Sequence, residues 1–353
     1  MEIPIIILNW NGWEDTLECL DALMKQTYQE FKVYLVDNGS TDESQKILKE
    51  KYATHPQIEL ILNQENLGFT RGNNIILTNY ILINPIYEYV VLLNNDTAPF
   101  DNWLKNLVQS AKDNQAAMVC SKMVDYYERT KMDNAGHMML NTGEILPIGH
   151  GEPVDNYTKG FENMGASAGA ALYTTQMLKD IGVFDEHFNT GYEDAELGVR
   201  AVIAGYKSWY EPTAVVYHKM GQSIKKIFDY DYSLKIQKHI IYTYFKLMPI
   251  SVIILMSPFW IFRFLILLVI SLLFLRLKYF KILFRSCKDT LLNDFGIIKK
   301  ARNTFFYEKK MITSSAILKK QTFFLFYDLK RFYKFFFQRQ SSAMDSYGKS
   351  QEN

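Results

Sequence analysis

Short apolar runs at 3–8, 32–37, 58–62, 89–93 and 117–120 are separated by segments of helical periodicity at 13–25, 42–52, 70–82 and 102–113. This alternation of short β-branched runs with helices predicts βαβ units and a mostly parallel central sheet. Residues 124–164 are richer in Gly, Asn and Pro, which predicts irregular loops and short strands. A second ordered block follows, with the small-residue stretch GASAGAALY at 165–173 and helices at 175–181 and 193–204. Gly205 suits the stop of the latter. Beyond residue 223 the pattern changes. Lys225, Lys226, Lys235, Lys238 and Lys246 lead into an apolar run at 247–275. The expected division is an α/β domain over 1–224 and a basic, apolar α-helical membrane-association region over 225–353.

Composition sharpens that division. A chain of 353 residues, 48% hydrophobic, can bury a large core and still carry a smaller second part. The formal net charge of +1 hides an asymmetry: residues 1–224 hold 16 Lys and Arg against 30 Asp and Glu, a net −14, whereas residues 225–353 hold 23 against 8, a net +15. An acidic body with a basic segment suits contact with an anionic surface, nucleic acid or phospholipid. Cys19, Cys120 and Cys287 are few and far apart, so neither a disulfide framework nor a CxxC metal site is supported, and a reducing compartment is expected. The start MEIPIIILNW lacks the pattern of a secretory signal, so the body is expected in the cytoplasm.

The candidate chemistry sits at the carboxyl ends of apolar runs, where open α/β sheets bind ligands. Asn94-Asn95-Asp96 forms an N-x-D version of the D-x-D pattern, and a carboxylate there can hold a divalent ion against a diphosphate. The same tripeptide is also an ordinary turn composition. Asp37, before Asn38, Gly39 and Ser40, either caps its turn or accepts the imide N–H of a pyrimidine base. Gly68 and Gly72 permit close backbone approach, and Arg71 is a cation for phosphate or for a surface carboxylate. Glu193, Asp194 and Glu196 crowd a helix start, whose dipole favours negative charge. A carboxylate near an anomeric carbon can take the acceptor hydroxyl proton; Asp194 is the first candidate and Glu193 the second. Arg200 lies on nearly the same helix face and could orient one of them or contact phosphate. His218 ends the run AVVYH and is either a structural hydrogen-bonding residue or a ligand of the same ion.

Taken in order, LNWNGWEDTLECLDAL, VDNGSTDES, NLGFTRGNN, LLNNDT, GVFDEHF, GYEDAELGVRA and H-x-x-G-x-S resemble the successive motifs of family 2 glycosyltransferases, particularly their bacterial rhamnosyltransferase-like members. The resemblance covers roughly residues 1–223, and its specificity lies in the ordered set. It implies a GT-A fold, a metal-dependent inverting mechanism and a nucleotide-activated sugar donor. By that analogy Asp37 and the loop Asn9, Trp10 and Asn11 hold base and ribose, Asp96 holds Mg²⁺ or Mn²⁺, and Asp194 is the catalytic base. The donor-binding set is completed by Asn38, Arg71, Asn94, Asn95 and Arg200, and the metal set by His218. Two positions depart from the family pattern: Asn94 replaces the first acid of D-x-D, and Glu196 the second acid of E-D-x-D. The Q-x-x-R-W motif of processive synthases is absent, which favours transfer of one or a few residues over synthesis of a long polymer.

The run 247–275 is long enough to cross a bilayer, but Pro249, Pro258 and Arg263 interrupt it and basic residues flank both ends. That pattern predicts a re-entrant hairpin or a pair of interfacial helices, with both ends on the cytoplasmic side. The aromatic and basic stretch 322–339 fits a helix at headgroup level, and its proximity to the apolar run favours lipid over nucleic acid. The resulting expectation is a glycosyltransferase at the cytoplasmic membrane face, moving L-rhamnose from dTDP-rhamnose to a polyprenyl-diphosphate-linked glycan. A UDP-sugar donor is the alternative. A sugar nucleotidyltransferase would need a Gly-rich phosphate loop near residues 3–11, and a non-catalytic sensor would not need both Asp96 and Asp194.

Overall fold

The computed structural model describes residues 1–219, 230–273, 275, 277–308 and 311–336. They fall into two compact units. The first takes Met1–His137 and, from Pro147, the described residues up to 219; the second takes Met138–Leu146 and the described residues from 230 onward.

The first unit opens with β1 (Ile3–Asn9), α1 (Trp13–Leu23), β2 (Phe31–Asp37), α2 (Ser44–Tyr52), β3 (Ile58–Leu62), α3 (Gly68–Ile76) and β4 (Tyr89–Leu93). A π-helical turn at Leu77–Ile81 extends α3. Next come β5 (Thr97–Pro99), α4 (Trp103–Asp113), β6 (Met118–Asp125) and β7 (Met132–Asn134), then the hairpin strands β8 (His137–Met139) and β9 (Ile145–Pro147), most of whose residues are counted with the second unit, and β10 (Phe161–Glu162). The block closes with β11 (Ala170–Thr174), α5 (Thr175–Ile181), α6 (Glu193–Ile203) and β12 (Ser208–His218).

The main sheet has the order β10-β12-β6-β11-β4-β1-β2-β3, with β5 beside β12 and β7 beside β6. Its first half is parallel, β1 pairing with both β2 and β4 and β2 with β3. Beyond β4 the sheet is mixed rather than parallel, because β11 runs antiparallel between β4 and β6. The alanines of β11 allow this insertion: Ala170 and Ala171 are buried in the middle of the sheet and demand little space on either face. Ile3, Ile5, Ile7, Leu35, Val91 and Leu172 join Leu20 and Leu23 of α1 and Leu104 and Leu107 of α4 in one core. Trp103 is fully buried there, and its indole N–H is satisfied by Ser121 Oγ at 2.8 Å. Cys19 and Cys120 are buried free thiols.

Helix α6 lies against the loop before β11 without any side chain between them. A Cβ at Gly198 would fall 2.5 Å from Gly165 Cα, and one at Gly165 would fall 2.5 Å from Gly198 Cα. Both contacts involve backbone, which cannot swing aside.

The second unit is helical, with α7 (Tyr230–Leu247), α8 (Ile250–Leu273), α9 (Leu277–Leu292), α10 (Phe295–Glu308), α11 (Ser314–Lys320) and α12 (Phe324–Phe336). The expected hairpin or helix pair within 247–275 is not formed: α8 runs unbroken for 24 residues through Pro258. Proline removes the hydrogen bond to the carbonyl four residues back. Here Ser257 Oγ donates to that carbonyl, Ile254 O, at 2.9 Å, so the helix continues. Arg302 of α10 donates to Phe245 O at 2.8 Å and also to Met248 O, satisfying carbonyls at the end of α7. Of the aromatic and basic stretch, residues 337–339 lie outside the described residues.

The Gly165–Gly198 contact yields a prediction. Gly198→Ala forces backbone apart and should destabilise the protein by about 1–3 kcal/mol, the usual cost of overpacking. A thermal unfolding midpoint equal to that of the wild type would contradict the close packing.

Candidate functional site

The site lies at the carboxyl ends of β1, β2 and β4. Asn9, the last residue of β1, is in register with Asp37, the last of β2. β4, on the other side of β1, runs into Asn94-Asn95-Asp96. The chain therefore departs from β1 in both directions along the sheet, which leaves a crevice at these strand ends.

A hydrogen-bond network fixes the floor of this crevice. Asp37 is fully buried and all four acceptor positions of its carboxylate are used. Oδ2 accepts from Asn9 Nδ2 and Ser40 Oγ, both at 2.7 Å, and Oδ1 accepts from Ser40 N and Gln45 Nε2, both at 2.9 Å. Asn9 Oδ1 accepts from Thr16 Oγ1 at 2.8 Å, and Thr16 in turn accepts from Asn95 Nδ2 at 3.0 Å. Asn11 adopts the left-handed conformation, φ 51°, and its Oδ1 accepts from Thr41 N at 2.8 Å. Buried Asn38 gathers the next loop, accepting from Asn63 Nδ2 and Leu67 N and donating to Asn66 Oδ1 and Gly68 O.

The metal candidates stand together. Strand β12 pairs with β5 so that His218 faces Thr97 across the ladder, and Lys219 N donates to Asp96 O at 3.0 Å. This brings His218 Nε2 to 3.2 Å from Asp96 Oδ1, while His218 Nδ1 lies 2.7 Å from Asp133 Oδ2. Burial opposes a charged imidazole, but the bonds to Asp133 and Asp96 prevail and raise His218 from 6.5 to about 10. Burial also works against the Asp133 carboxylate, and the bonds from His150 and His218 hold it well below the usual range. A divalent cation fits the outer pair: neighbouring ligands of an octahedral ion at about 2.0–2.1 Å are about 3 Å apart. The carboxylate oxygen suits Mg²⁺ or Mn²⁺, the imidazole is a softer ligand, and a carboxylate behind the histidine is the usual orienting arrangement. Among the described residues no group of three or more His, Cys, Asp or Glu side chains could hold a metal ion. Asp96 and His218 are candidates for two ligands, the imidazole only after giving up its Nε2 proton, and substrate or water oxygens would have to supply the others.

Asp194 is tied to this loop by a short path. Asp194 Oδ2 accepts from Ala168 N at 3.1 Å, and Gly169 O accepts from Asn94 N at 2.8 Å. Its Oδ1 accepts from Ala195 N at 2.7 Å, so each oxygen keeps acceptor capacity. The turn into α6 is unusual, with Asn189, Gly191 and Tyr192 all at positive φ. Left-handed backbone at two non-glycine residues is costly and concentrates at functional sites. Asp194 is partly exposed, whereas its runner-up Glu193 is buried. The charge of Asp194 acts on two buried neighbours. Burial lowers the pKa of His137 against that charge, and burial together with that charge raises Tyr173 well above its ordinary value.

The predicted site residues therefore separate into two groups. Trp10, Asn11, Asn94, Asn95 and Asp96 are partly or fully exposed along the crevice. Asn9, Asp37 and Asn38 are buried with their polar atoms bonded inside the protein, so here they build the cradle rather than offer free groups to a donor. Arg200 requires a correction. It is buried, pairs with Glu196 rather than Asp194 or Glu193, and donates to the carbonyls of Ile181, Gly182 and Val183. Arg200 and Glu196 thus fasten α6 to the end of α5, with no reach to phosphate. Arg71 is exposed and lies 3.8 Å from Glu186, the surface pairing that was its alternative. Gly221 and Ser223 of the H-x-x-G-x-S motif lie outside the described residues. Asp133, His150, Ala168 and Gly169 were missed. Asp133 sits in a loop-rich stretch, and the others act through backbone or from far along the chain, so only the small-residue run GASAGA hinted at them.

The glycosyl transferase family 2 model matches residues 5–182, half of the chain, and the protein belongs to that family. Its similarity to the O-antigen chain rhamnosyltransferase RfbN of Salmonella typhimurium is 24% identity over 230 residues, covering 65% of this chain and 69% of that protein. Other curated relatives are longer, the chain spanning 16%, 40% and 23% of three of them. Among solved structures, it resembles the mannosyltransferase PcManGT from Pyrobaculum calidifontis in complex with GDP-Man and Mn²⁺, with TM-score 0.50, 17% identity and coverage of 98% and 84% of the two chains. GalNAc-T7 with UDP, GalNAc and Mn²⁺ gives TM-score 0.54 at 13% identity, over 69% and 47%. The fold is of the GT-A type.

The elevated pKa of His218 predicts a pH signature for the metal-free protein. Because the folded value, about 10, exceeds the usual 6.5, the stabilisation is complete below about 6.5 and is lost as pH rises through about 10. The melting-temperature difference between wild type and His218→Asn should shrink across that window, and a constant difference would contradict the charged imidazole. Asp133→Asn should weaken Mn²⁺ binding by about 10- to 100-fold in a calorimetric titration, the usual effect of losing an orienting partner.

Proposed function

We propose that the protein is a metal-dependent inverting glycosyltransferase that moves L-rhamnose from dTDP-rhamnose to a lipid-linked glycan acceptor at the cytoplasmic face of the membrane. The observation that carries the reaction is the short path from Asp194 through Ala168 and Gly169 to Asn94, two residues from Asp96. A base and a diphosphate site must stand on opposite sides of one anomeric carbon, and this path gives them neighbouring positions. The similarity to RfbN, an O-antigen chain rhamnosyltransferase, supports the choice of sugar, and the apolar helix α8 together with the basic region around it supports a polyprenyl-diphosphate-linked acceptor.

In this reading the donor lies along the crevice beside Trp10, Asn11, Asn94 and Asn95, over the floor that Asp37 and Asn9 hold rigid. Asp96 and His218 would hold Mg²⁺ or Mn²⁺, whose charge offsets the negative charge of the leaving diphosphate. Asp194 accepts the proton of the acceptor hydroxyl as that oxygen attacks the anomeric carbon and the diphosphate departs. The Ala168 and Ala195 amides keep the carboxylate aimed.

A panel of dTDP-, UDP- and GDP-sugars supplied with membrane extract, with nucleoside diphosphate release as the readout, tests the donor. Preferential turnover of a UDP-sugar would replace the dTDP-rhamnose reading. Asp194→Asn should keep nucleoside diphosphate binding while transfer falls by at least ~10²-fold, the lower range for removing a positioned base; collapse of both would move Asp194 to the donor site. Asp96→Ala should nearly abolish turnover and remove the metal dependence of nucleotide binding, whereas full activity in the presence of a chelator would overturn the metal reading.

A further inference from the structure

Helix α8 is 24 residues long with mean hydropathy 2.5, and little of it is covered within the structure. By length it could cross a bilayer, since about 20 residues suffice. Its one charged residue, Arg263, stands near its middle and is buried. Nε and Nη2 of Arg263 donate to the two oxygens of Asp328 on α12 at 2.8 and 3.0 Å. Nη2 also donates to Glu144 at 2.6 Å, and Nη1 to Thr142 Oγ1 at 3.1 Å. Thr142 and Glu144 lie in the turn between β8 and β9.

These bonds divide the helix surface. Val252, Arg263 and Ser271 are its buried residues, and at about 100° per residue they fall within one arc of about 100°. Ile254, Ile261, Phe262, Leu265, Val269 and Leu272 are exposed and occupy the opposite side. A continuous apolar stripe thus runs the full length of α8 on the side away from Arg263. Exposed Leu325, Phe326 and Leu329 extend the apolar surface on α12. Lys278, Lys281, Lys299, Lys300 and Lys330 are exposed on α9, α10 and α12, within a region carrying net +15.

We propose that α8 lies in the plane of an anionic phospholipid surface, its stripe sunk among the acyl chains and its Arg263 side held by the protein, rather than crossing the bilayer. A crossing α8 would place Arg263 at the midplane. It would either drag Asp328, Glu144 and a non-helical turn into hydrocarbon, which lipid-exposed backbone does not tolerate, or strip Arg263 of every partner. An in-plane α8 does neither, because the cluster stays on the protein side while the stripe is buried. The exposed lysines then meet anionic headgroups.

The proposal rests on the membrane-surface reading above, but not on the transfer chemistry, so donor turnover with a water-soluble acceptor is followed separately. Single cysteines at Ile254, Phe262 and Val269, placed in the full chain with Cys287→Ser, are labelled with a fluorophore. Vesicles of phosphatidylcholine with or without phosphatidylglycerol carry quenchers at known depths. The expected result is the same shallow depth at all three positions, only with anionic vesicles. A depth greatest at 262 would establish a crossing helix and overturn the proposal, as would labels that remain in water while sedimentation reports self-association. Lys281→Glu with Lys300→Glu should weaken binding to anionic vesicles by at least about 10-fold; unchanged binding would remove the electrostatic part of the proposal.

Discussion

The geometry of the site depends on two backbone groups in adjacent residues. The amide of Ala168 holds the carboxylate of Asp194, and the carbonyl of Gly169 holds the amide of Asn94. The second bond is main chain on both sides and the first has a main-chain donor, so together they tie the Asp194 carboxylate at the α6 start to the strand-end loop of β4. The loop can make both only because β11 enters the sheet between β4 and β6. The alanines at 170 and 171 are buried within that inserted strand. Close approach of Gly198 to Gly165 then brings α6 down onto the same loop. A small-residue run that looks chemically empty is what sets the Asp194 carboxylate in relation to the Asn94–Asp96 loop.

The same logic explains why buried polar groups surround the crevice. A carboxylate with four protein donors, as at Asp37, costs little to bury and resists rearrangement. The Asn9, Thr16 and Asn95 bonds extend that rigidity to the loop after β4. Behind His218, Asp133 gives a similar service from a different strand. A cradle ordered in advance leaves less freedom to be lost when any flexible ligand settles into it.

Much of this was legible in the sequence. The parallel strands β1 to β4 and helices α1 to α6 announce themselves through periodicity, because each buries one face against a common core. The polar strand-end residues stand out because they terminate apolar runs. What could not be read was partnership. Arg200 is six residues from Asp194 along a helix, close enough to suggest a pairing, yet it turns to Glu196 at i−4 and to the carbonyls ending α5. Asp133 and His218 are 85 residues apart, and only the folded sheet brings them together. Pro258 predicted a break, and the neighbouring hydroxyl of Ser257 removed the need for one.

The Arg263 cluster also imposes an order on biosynthesis. Glu144 and Thr142 precede Arg263 in the chain, whereas Asp328 follows it by 65 residues. At about 5–20 residues per second, roughly 3–13 s of translation separate the two. During that interval α8 exists as an apolar helix whose arginine has only its upstream partners, and the bidentate carboxylate that completes its polar side has not been made. Only once α12 has been made can its carboxylate close the polar side of α8.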